Sequence, residues 1–250
     1  MKNHNFYVYG KNPVGELFRD KPELLQRLYL KDTLDPELFN YIKSEARKYK
    51  IPILRLHPQK IVDMVGDVAH QGIVAEIKEF PYTEFHPWLD GLDLDKNPLV
   101  FILNEITDPH NVGAIIRSAA AFGAAGILIP AHNQAGVTGV VYKTSAGAAH
   151  KIPIIRIGNT QHTISLLKEK KFWVAGLDAD GEKTLDEETF ETPTVIILGS
   201  EGSGIRLKIQ ESCDYMIRIP IESAVESLNA SVSASIVGYA YYNQKIKKAR

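Results

Sequence analysis

Three short stretches of the sequence place polar or charged residues among glycines and other small residues. They read DPHNVGAIIR, LGSEGSGI and IESAVESLNASVSAS, and each follows an apolar run. The candidate functional residues in them are Asn111, Arg117, Gly199, Glu201, Gly202, Ser227 and Asn229. Amide, guanidinium and carboxylate groups beside flexible backbone are typical of a site that binds a ligand or moves a proton.

In the first stretch, Asn111 is predicted to cap a helix that begins at Val112. Arg117 lies between GAII and SAAAFG, so this helix is rich in small and apolar residues and is expected to be buried. A buried arginine needs a partner. Chemistry alone leaves two interpretations open for Arg117: a salt bridge, for example to Glu201, or a catalytic or phosphate-binding role.

The second stretch is a glycine-rich turn that carries one carboxylate. Glycine permits positive φ and a close approach of ligand to backbone. The spacing of GSEGSG is neither that of a nucleotide-binding P-loop nor that of a dinucleotide-binding turn, and no lysine is present. Glu201 therefore suits an arginine, a ribose hydroxyl or a positively charged cofactor, unless it is a solvated residue of an ordinary turn.

The third stretch leads into a long C-terminal helix. Ser227 is predicted as the N-cap, and Asn229 as a residue of the first turn. The small residues that follow leave room for another backbone to pack closely. A tightly packed, capped helix without a ligand is the alternative interpretation.

The second part of the chain alternates strand and helix patterns. The strand candidates are LVFILNEI, AGILIP, IPIIRI, FWVAGL, TVIILG and YMIRIPI. Continuous apolar runs of this kind predict a mostly parallel sheet with helices on both faces. Ligands of such sheets bind at the carboxyl ends of the strands, which is where all three stretches lie.

The front part predicts a small α/β unit. NPVGELFR and DPELFNYIKSEARKYK have helical patterns, LLQRLYL reads as helix running into strand, IPILRL as a buried strand and GIVAEIK as another. The following stretch, EFPYTEFHPWLDGLDLDKNP, has three prolines and no period. We therefore predict a first domain over 1–78, a linker over 79–98 and a second domain over 99–250.

Composition limits the classes of function. No apolar run is long enough to cross a bilayer, and the start lacks the apolar core of a signal peptide, so a cytoplasmic or organelle-matrix protein is expected. One cysteine in 250 residues excludes an internal disulfide and a cysteine-cluster metal site. A net charge of −1 counts mildly against nucleic acid, although the tail QKIKKAR is basic. That tail could contact phosphate or complement a helix dipole.

Taken together, DPHNVGAIIRSAAAFG, ILGSEGSGI and IPIESAVESLNASVSAS resemble, in order and spacing, the three motifs of the SpoU family of RNA ribose 2′-O-methyltransferases. YVYGKNPVGELF and AHQGIVAEIKEF resemble that family's RNA-binding domain of ribosomal-protein type. With YKTSAGAAHKIPIIRIGN, the resemblance covers nearly the whole chain. It is strongest to the subgroup that methylates a guanosine of large-subunit ribosomal RNA. A transfer-RNA ribose methyltransferase and a non-catalytic RNA-binding or ribosome-assembly factor are the alternatives.

The resemblance implies an α/β fold of the SPOUT type, with a trefoil knot and a mostly parallel sheet, behind a small N-terminal α/β RNA-binding domain. It implies a homodimer that uses S-adenosyl-L-methionine on RNA, not DNA. No metal is expected, because the composition suggests none. The catalytic residues implied are Asn111, Arg117, Glu201 and Asn229, and the cofactor-binding residues are Gly199, Gly202, Ile219, Ser227 and Leu228. A knot could not be derived from periodicity, because threaded chains are rare.

Four further details belong to these expectations. A guanidinium is effectively always protonated, so Arg117 is expected to hold the target phosphate and stabilise the ribose oxygen. His110 is a rival base because histidine titrates near neutrality. His70 and Gln71 either contact RNA or form a turn. Asn104 and Glu105, ahead of the first motif, depart from the family pattern without removing a matched functional residue.

Overall fold

The computed structural model describes residues 6–200, 202–222 and 226–248. By internal contacts the chain divides into two compact units, Met1–Pro81 with Val137–His150, and Tyr82–Gly136 with Lys151–Arg250. The domain bounds given above remain a prediction. The contact-based division adds a short segment from the middle of the chain to the front unit.

Eleven strands and nine helices are present in the described ranges. The strands are β1 (Phe6–Tyr9), β2 (Leu25–Lys31), β3 (Ile53–Leu56), β4 (Ile73–Ile77), β5 (Leu99–Leu103), β6 (Gly126–Pro130), β7 (Ile154–Ile157), β8 (Trp173–Leu177), β9 (Lys183–Thr184), β10 (Thr194–Leu198) and β11 (Tyr215–Arg218). The helices are α1 (Lys11–Asp20), α2 (Pro36–Lys48), α3 (Pro58–Val65), α4 (Phe85–Asp90), α5 (Pro109–Ala121), α6 (Gly139–Thr144), α7 (Thr160–Glu169), α8 (Leu207–Gln210) and α9 (Ala230–Lys248).

The first unit is built on a four-stranded sheet in the order β1-β4-β2-β3. Strand β4 is buried and pairs antiparallel with β1 and β2, while β3 lies parallel to β2 at the edge. IPILRL was predicted as a buried strand, and this is wrong, since β3 has only one neighbour and Leu54 is 41% exposed. Helix α2 lies within the predicted stretch DPELFNYIKSEARKYK and ends two residues before it does, with Asp35 as the N-cap that accepts a hydrogen bond from Leu38 N at 3.0 Å.

The stretch predicted as an aperiodic linker is folded. Helix α4 lies within it, and Trp88 and Leu89 are buried in the core of the second unit. A Cβ on Gly126 would approach the Trp88 ring to 2.7 Å, and the Trp88 indole donates to the Ala125 carbonyl at 3.1 Å. The prolines obscured a six-residue helix whose pattern is too short to show a period.

The second unit contains a seven-stranded sheet in the order β7-β6-β5-β10-β8-β11-β9, and all of its pairs are parallel. The predicted α/β fold with a mostly parallel sheet is confirmed. Strands β5 and β10, at the centre, are buried along their whole length, as expected for a sheet covered on both faces.

Two groups of helices cover this sheet. On one face, α4, α7 and α8 pack against the alternate positions Val100 and Ile102 of β5. The intervening positions of β5 point to the opposite face and are also buried. Helices α5 and α9 pack against each other, and α5 also contacts β6. The trefoil knot implied by the resemblance fits this fold.

Candidate functional site

A cleft of about 330 Å³ lies at the carboxyl ends of β8, β10 and β11. It is lined by Leu177, Asp178, Ala179, Leu198, Gly199, Ser200, Gly202, Gly204, Ile219, Ile221, Glu226, Ser227, Leu228, Ala230 and Ser233. The five residues predicted to bind a cofactor, from Gly199 to Leu228, all lie in this lining. The rule that ligands bind beyond the carboxyl ends of parallel strands therefore located the cleft.

The glycine-rich turn after β10 is a closed loop. Ser200 N donates to Gly204 O at 3.1 Å, and Gly204 N donates to Ser200 O at 3.0 Å. Gly204 has φ +62°, and a Cβ on Gly199 would lie 2.3 Å from the carbonyl carbon of Gly204. Glycine is thus required at Gly199 by backbone contact. Glu201 lies outside the described residues.

Helix α5 begins earlier than the sequence suggested. Asp108 is its N-cap and accepts from His110 N at 2.9 Å, with Pro109 as the first helical residue. The prediction that Asn111 caps this helix is wrong, because Asp-Pro is the stronger start signal. The side-chain oxygen of Asn111 instead accepts a hydrogen bond from Asn229 Nδ2 at 3.1 Å.

Asn229 joins two of the predicted motifs. Its side-chain oxygen accepts from Ser231 N at 2.9 Å and from Val232 N at 3.3 Å, so Asn229 rather than Ser227 caps α9. The predicted cap at Ser227 is wrong because Ser227 lies three residues before Ala230, the first residue of the helix, and lines the cleft as an exposed residue. Since Leu228 and Ala230 also line the cleft, the Asn111–Asn229 pair lies at its border.

Arg117 is exposed in this chain, and the prediction that it is buried is wrong. The buried face of α5 is formed by Val112, Ile115, Ile116 and Ala119, and Arg117 points away from it. The small residues of α5 allow close packing against α9, which explains the composition that suggested full burial. Among the described residues, no carboxylate forms an ion pair with Arg117; the suggested pair with Glu201 falls outside the described part of the chain.

The family assignment rests on sequence profiles. The profile described as the SpoU rRNA Methylase family matches residues 98–239, and the one described as RNA 2′-O ribose methyltransferase substrate binding matches residues 7–83. The chain belongs to the SpoU rRNA methylase family. Membership makes it an S-adenosylmethionine-dependent RNA methyltransferase with a substrate-binding domain in front.

Individual proteins similar to this SpoU methylase include one relative by sequence and two solved structures. YacO of Bacillus subtilis, provisionally named a TrmH family tRNA/rRNA methyltransferase, is 35% identical over 250 residues, which are 98% of both chains. The structure of an AdoMet-bound rRNA methyltransferase from Sinorhizobium meliloti has a TM-score of 0.79 at 19% identity, covering 97% of this chain and 88% of that one. The A. aeolicus TrmH/SpoU tRNA modifying enzyme has a TM-score of 0.55 at 26% identity, covering 62% and 78%.

The structure also shows site residues of this methylase that the sequence analysis missed. The loop after β8 brings Asp178 into the cleft, and Glu226 lines it from the segment before α9. Asp178 follows the predicted strand FWVAGL, so the carboxyl-end rule could have found it. His70 and Gln71 contribute to a turn, where His70 Nδ1 accepts from Gly72 N at 3.0 Å and Gln71 Oε1 accepts from Lys11 N at 2.9 Å.

Three other observations on the described residues concern metal binding, the Cys213 thiol and membrane spans. No group of three or more His, Cys, Asp or Glu side chains there could hold a metal ion. Burial raises the pKa of the Cys213 thiol to about 11, so this cysteine is not a thiolate nucleophile near neutral pH. Among the helices that the described ranges contain, none is both long and apolar enough to cross a membrane.

Proposed function

We propose that this SpoU methylase transfers a methyl group from S-adenosylmethionine to the ribose 2′-hydroxyl of a guanosine in large-subunit ribosomal RNA. The observation that carries the proposal is the single cleft in which Gly199, Gly202, Ile219, Ser227 and Leu228 meet. The Asn111–Asn229 pair beside it joins the first and third motifs.

The cleft fits this cofactor. Leu198, Ile219 and Leu228 supply apolar walls for an adenine ring, and the closed glycine loop offers backbone groups at close range. Carboxylates of Asp178 and Glu226 give the lining negative charge, which attracts a sulfonium. The bound cofactor supplies an electrophilic methyl group.

The protein must align the ribose oxygen for in-line attack and stabilise the charge that develops on it. Arg117 is exposed, so its guanidinium is accessible to the phosphate and the ribose oxygen of a bound RNA. Because a guanidinium is a poor proton acceptor, the hydroxyl proton leaves to the RNA phosphate or to water. In this proposal Asn111 and Asn229 fix the border of the cleft, and Glu201 orients Arg117 or the ribose.

The front unit favours ribosomal RNA over transfer RNA. The tRNA modifying enzyme of A. aeolicus covers 62% of this chain, whereas the rRNA methyltransferase of S. meliloti covers 97%. The substrate-binding profile matches residues 7–83, in front of the methylase profile at 98–239. Function in the cytoplasm or in an organelle matrix, where ribosomes assemble, belongs to the same proposal.

A homodimer formed through the second unit is also part of the proposal. On α9, Tyr239 is 57% exposed and Tyr242 is 41% exposed. Both rings contact Phe122 at the end of α5, with centroids 5.9 and 6.1 Å away. An aromatic patch of this kind on the surface is typical of a protein interface.

The test is transfer of tritiated methyl from S-adenosylmethionine to large-subunit ribosomal RNA and, separately, to bulk transfer RNA. Label on ribosomal RNA that disappears with Arg117→Ala supports the proposal. Label on transfer RNA alone would identify the protein as a transfer-RNA ribose methyltransferase. Cofactor binding without label on either RNA, on assembling ribosomal subunits included, would indicate a non-catalytic RNA-binding factor. A guanidinium can bind a phosphate through two N–H groups at once, which lysine cannot do, so near-normal turnover by Arg117→Lys would contradict a phosphate contact of this kind.

A further inference from the structure

Glu105 holds an unusual backbone conformation at the start of the loop between β5 and α5. Its φ is +63°, in the left-handed region that residues other than glycine rarely adopt. Such conformations cost free energy and persist where the surrounding contacts enforce them, often at functional sites. The loop that begins here leads directly to Asn111 and Arg117.

The Glu105 side chain is only 20% exposed and binds Arg206 in two places. Arg206 Nε donates to Oε2 at 2.8 Å, and Nη2 contacts Oε1. Exposed ion pairs usually contribute little, but the bidentate arginine–carboxylate pair is the exception because its geometry is fixed. Arg206 follows the closed glycine loop at the N-cap position of α8.

Residues of the loop after β5 also form hydrogen bonds with Gln134 and Leu198. The side-chain amide of Gln134 accepts from Ile106 N at 2.8 Å and donates to Ile106 O at 2.7 Å. Asn104 N donates to Leu198 O at 2.8 Å, which continues the pairing of β5 with β10. Arg206 on one side and Gln134 on the other therefore fix residues 104–106 just before α5 begins.

We propose that Glu105 and Arg206 are positioning residues for methyl transfer. Their ion pair fixes the loop that presents Asn111 and Arg117 relative to the glycine loop of the cofactor cleft. Glycine at position 105 would relieve the backbone strain, so the contact of the Glu105 side chain with Arg206 has to offset the cost of the left-handed conformation. The inference rests on the roles proposed above for Arg117 and the cleft.

Glu105→Gly separates positioning from folding, because it removes the ion pair and suits the left-handed backbone. We expect an unchanged or higher melting temperature and a kcat lower by roughly 10- to 100-fold, with the KM for RNA within about twofold, since small misplacements of reacting groups have effects of this size. Glu105→Gln should lower kcat similarly, and the exchange Glu105→Arg with Arg206→Glu should recover part of it. Asp90→Asn is the matched control, since it neutralises an exposed ion pair with Lys170 at 2.9 Å outside the cleft lining.

Hydrogen exchange gives a second readout that needs no RNA substrate. In the proposal, Glu105→Gly accelerates amide exchange over residues 104–113 and 202–207, and Asp90→Asn does not. If the wild type transferred no tritiated methyl group to RNA, the proposed function would be refuted. Hydrogen exchange would then still test whether the Glu105–Arg206 ion pair fixes the loop. Unchanged exchange in Glu105→Gly, unchanged kcat, or a loss of activity that only follows a loss of folded protein would overturn the inference.

Discussion

Gly199→Ala tests the closed glycine loop directly. The new methyl group would lie 2.3 Å from the carbonyl carbon of Gly204, 2.5 Å from its oxygen and 2.6 Å from Ile205 N. These are backbone atoms of a loop closed by two hydrogen bonds, so they cannot turn aside as a flexible side chain does. Overpacking of this kind costs about 1–3 kcal/mol. We expect the loop to relieve the clash by opening, so that closing it again around S-adenosylmethionine carries this cost. Because about 1.4 kcal/mol is a tenfold change in affinity, S-adenosylmethionine should then bind roughly 5- to 150-fold more weakly.

Titration calorimetry with S-adenosylmethionine measures this change, and the melting temperature shows whether the fold survives. Gly158→Ala is the matched control, because a Cβ there has nothing within 4 Å and the backbone is not left-handed. Gly202→Ala also meets no protein atom within 4 Å, so any loss of affinity in that variant reports contact with the cofactor itself. An affinity for Gly199→Ala within twofold of the wild type, at an unchanged melting temperature, would refute the steric argument.

Three further predictions concern other parts of the molecule. Asn229→Ala should lower the free energy of unfolding by about 1–2 kcal/mol, because it removes a helix cap as well as the bond to Asn111, whereas Asn229→Asp should keep the cap; denaturant titration of both variants checks this. Tyr239→Glu should weaken the proposed dimer in sedimentation velocity, while Tyr41→Glu, at a similarly exposed tyrosine of the first unit, should not; equal effects would contradict the assignment of the interface to α9. Burial lowers the pKa of His150 to about 4, so the unfolded chain binds more protons between that pH and about 6.5. The stability from neutral His150 is present above pH 6.5 and is lost as the pH falls toward 4; melting curves should show a smaller loss in His150→Gln, and an identical pH dependence would contradict the assignment.

The two-residue strand β9 is too short to show a pattern, but the other six strands of the second unit could be predicted, of which β5 and β10 are covered on both faces and therefore read as unbroken apolar runs. The order of those strands could not. Strand β10 lies between β5 and β8, and that insertion depends on contacts between distant parts of the chain. The burial of β3 could not be predicted either, because an edge strand carries the same short apolar pattern as a buried strand.

In the candidate site, the sequence indicated which residues line the cleft, but it did not indicate the exposure and hydrogen bonds of the residues around it. Gly199, Ser227 and Leu228 follow strands whose carboxyl ends lie together. Ligands of parallel sheets bind at such carboxyl ends, and this rule was enough to locate the cleft. The exposure of Arg117 could not be predicted, because small residues that pack against a neighbouring helix look like residues of a fully buried one. The bond between Asn111 and Asn229 joins residues 118 positions apart, which no local pattern encodes.

The division of the first unit has a consequence for the order in which the nascent chain can fold. Tyr142 packs its ring against Phe6, Phe80 and His150, and it belongs to a segment, Val137–His150, that is synthesised after β5 and β6 of the other sheet. A growing polypeptide of 81 residues has all four strands of the front sheet but lacks this aromatic centre. Domains of many proteins fold one after another as they leave the ribosome. Here the front unit is completed only after synthesis of the second unit has begun. A truncated protein that ends at residue 81 therefore lacks part of the front unit.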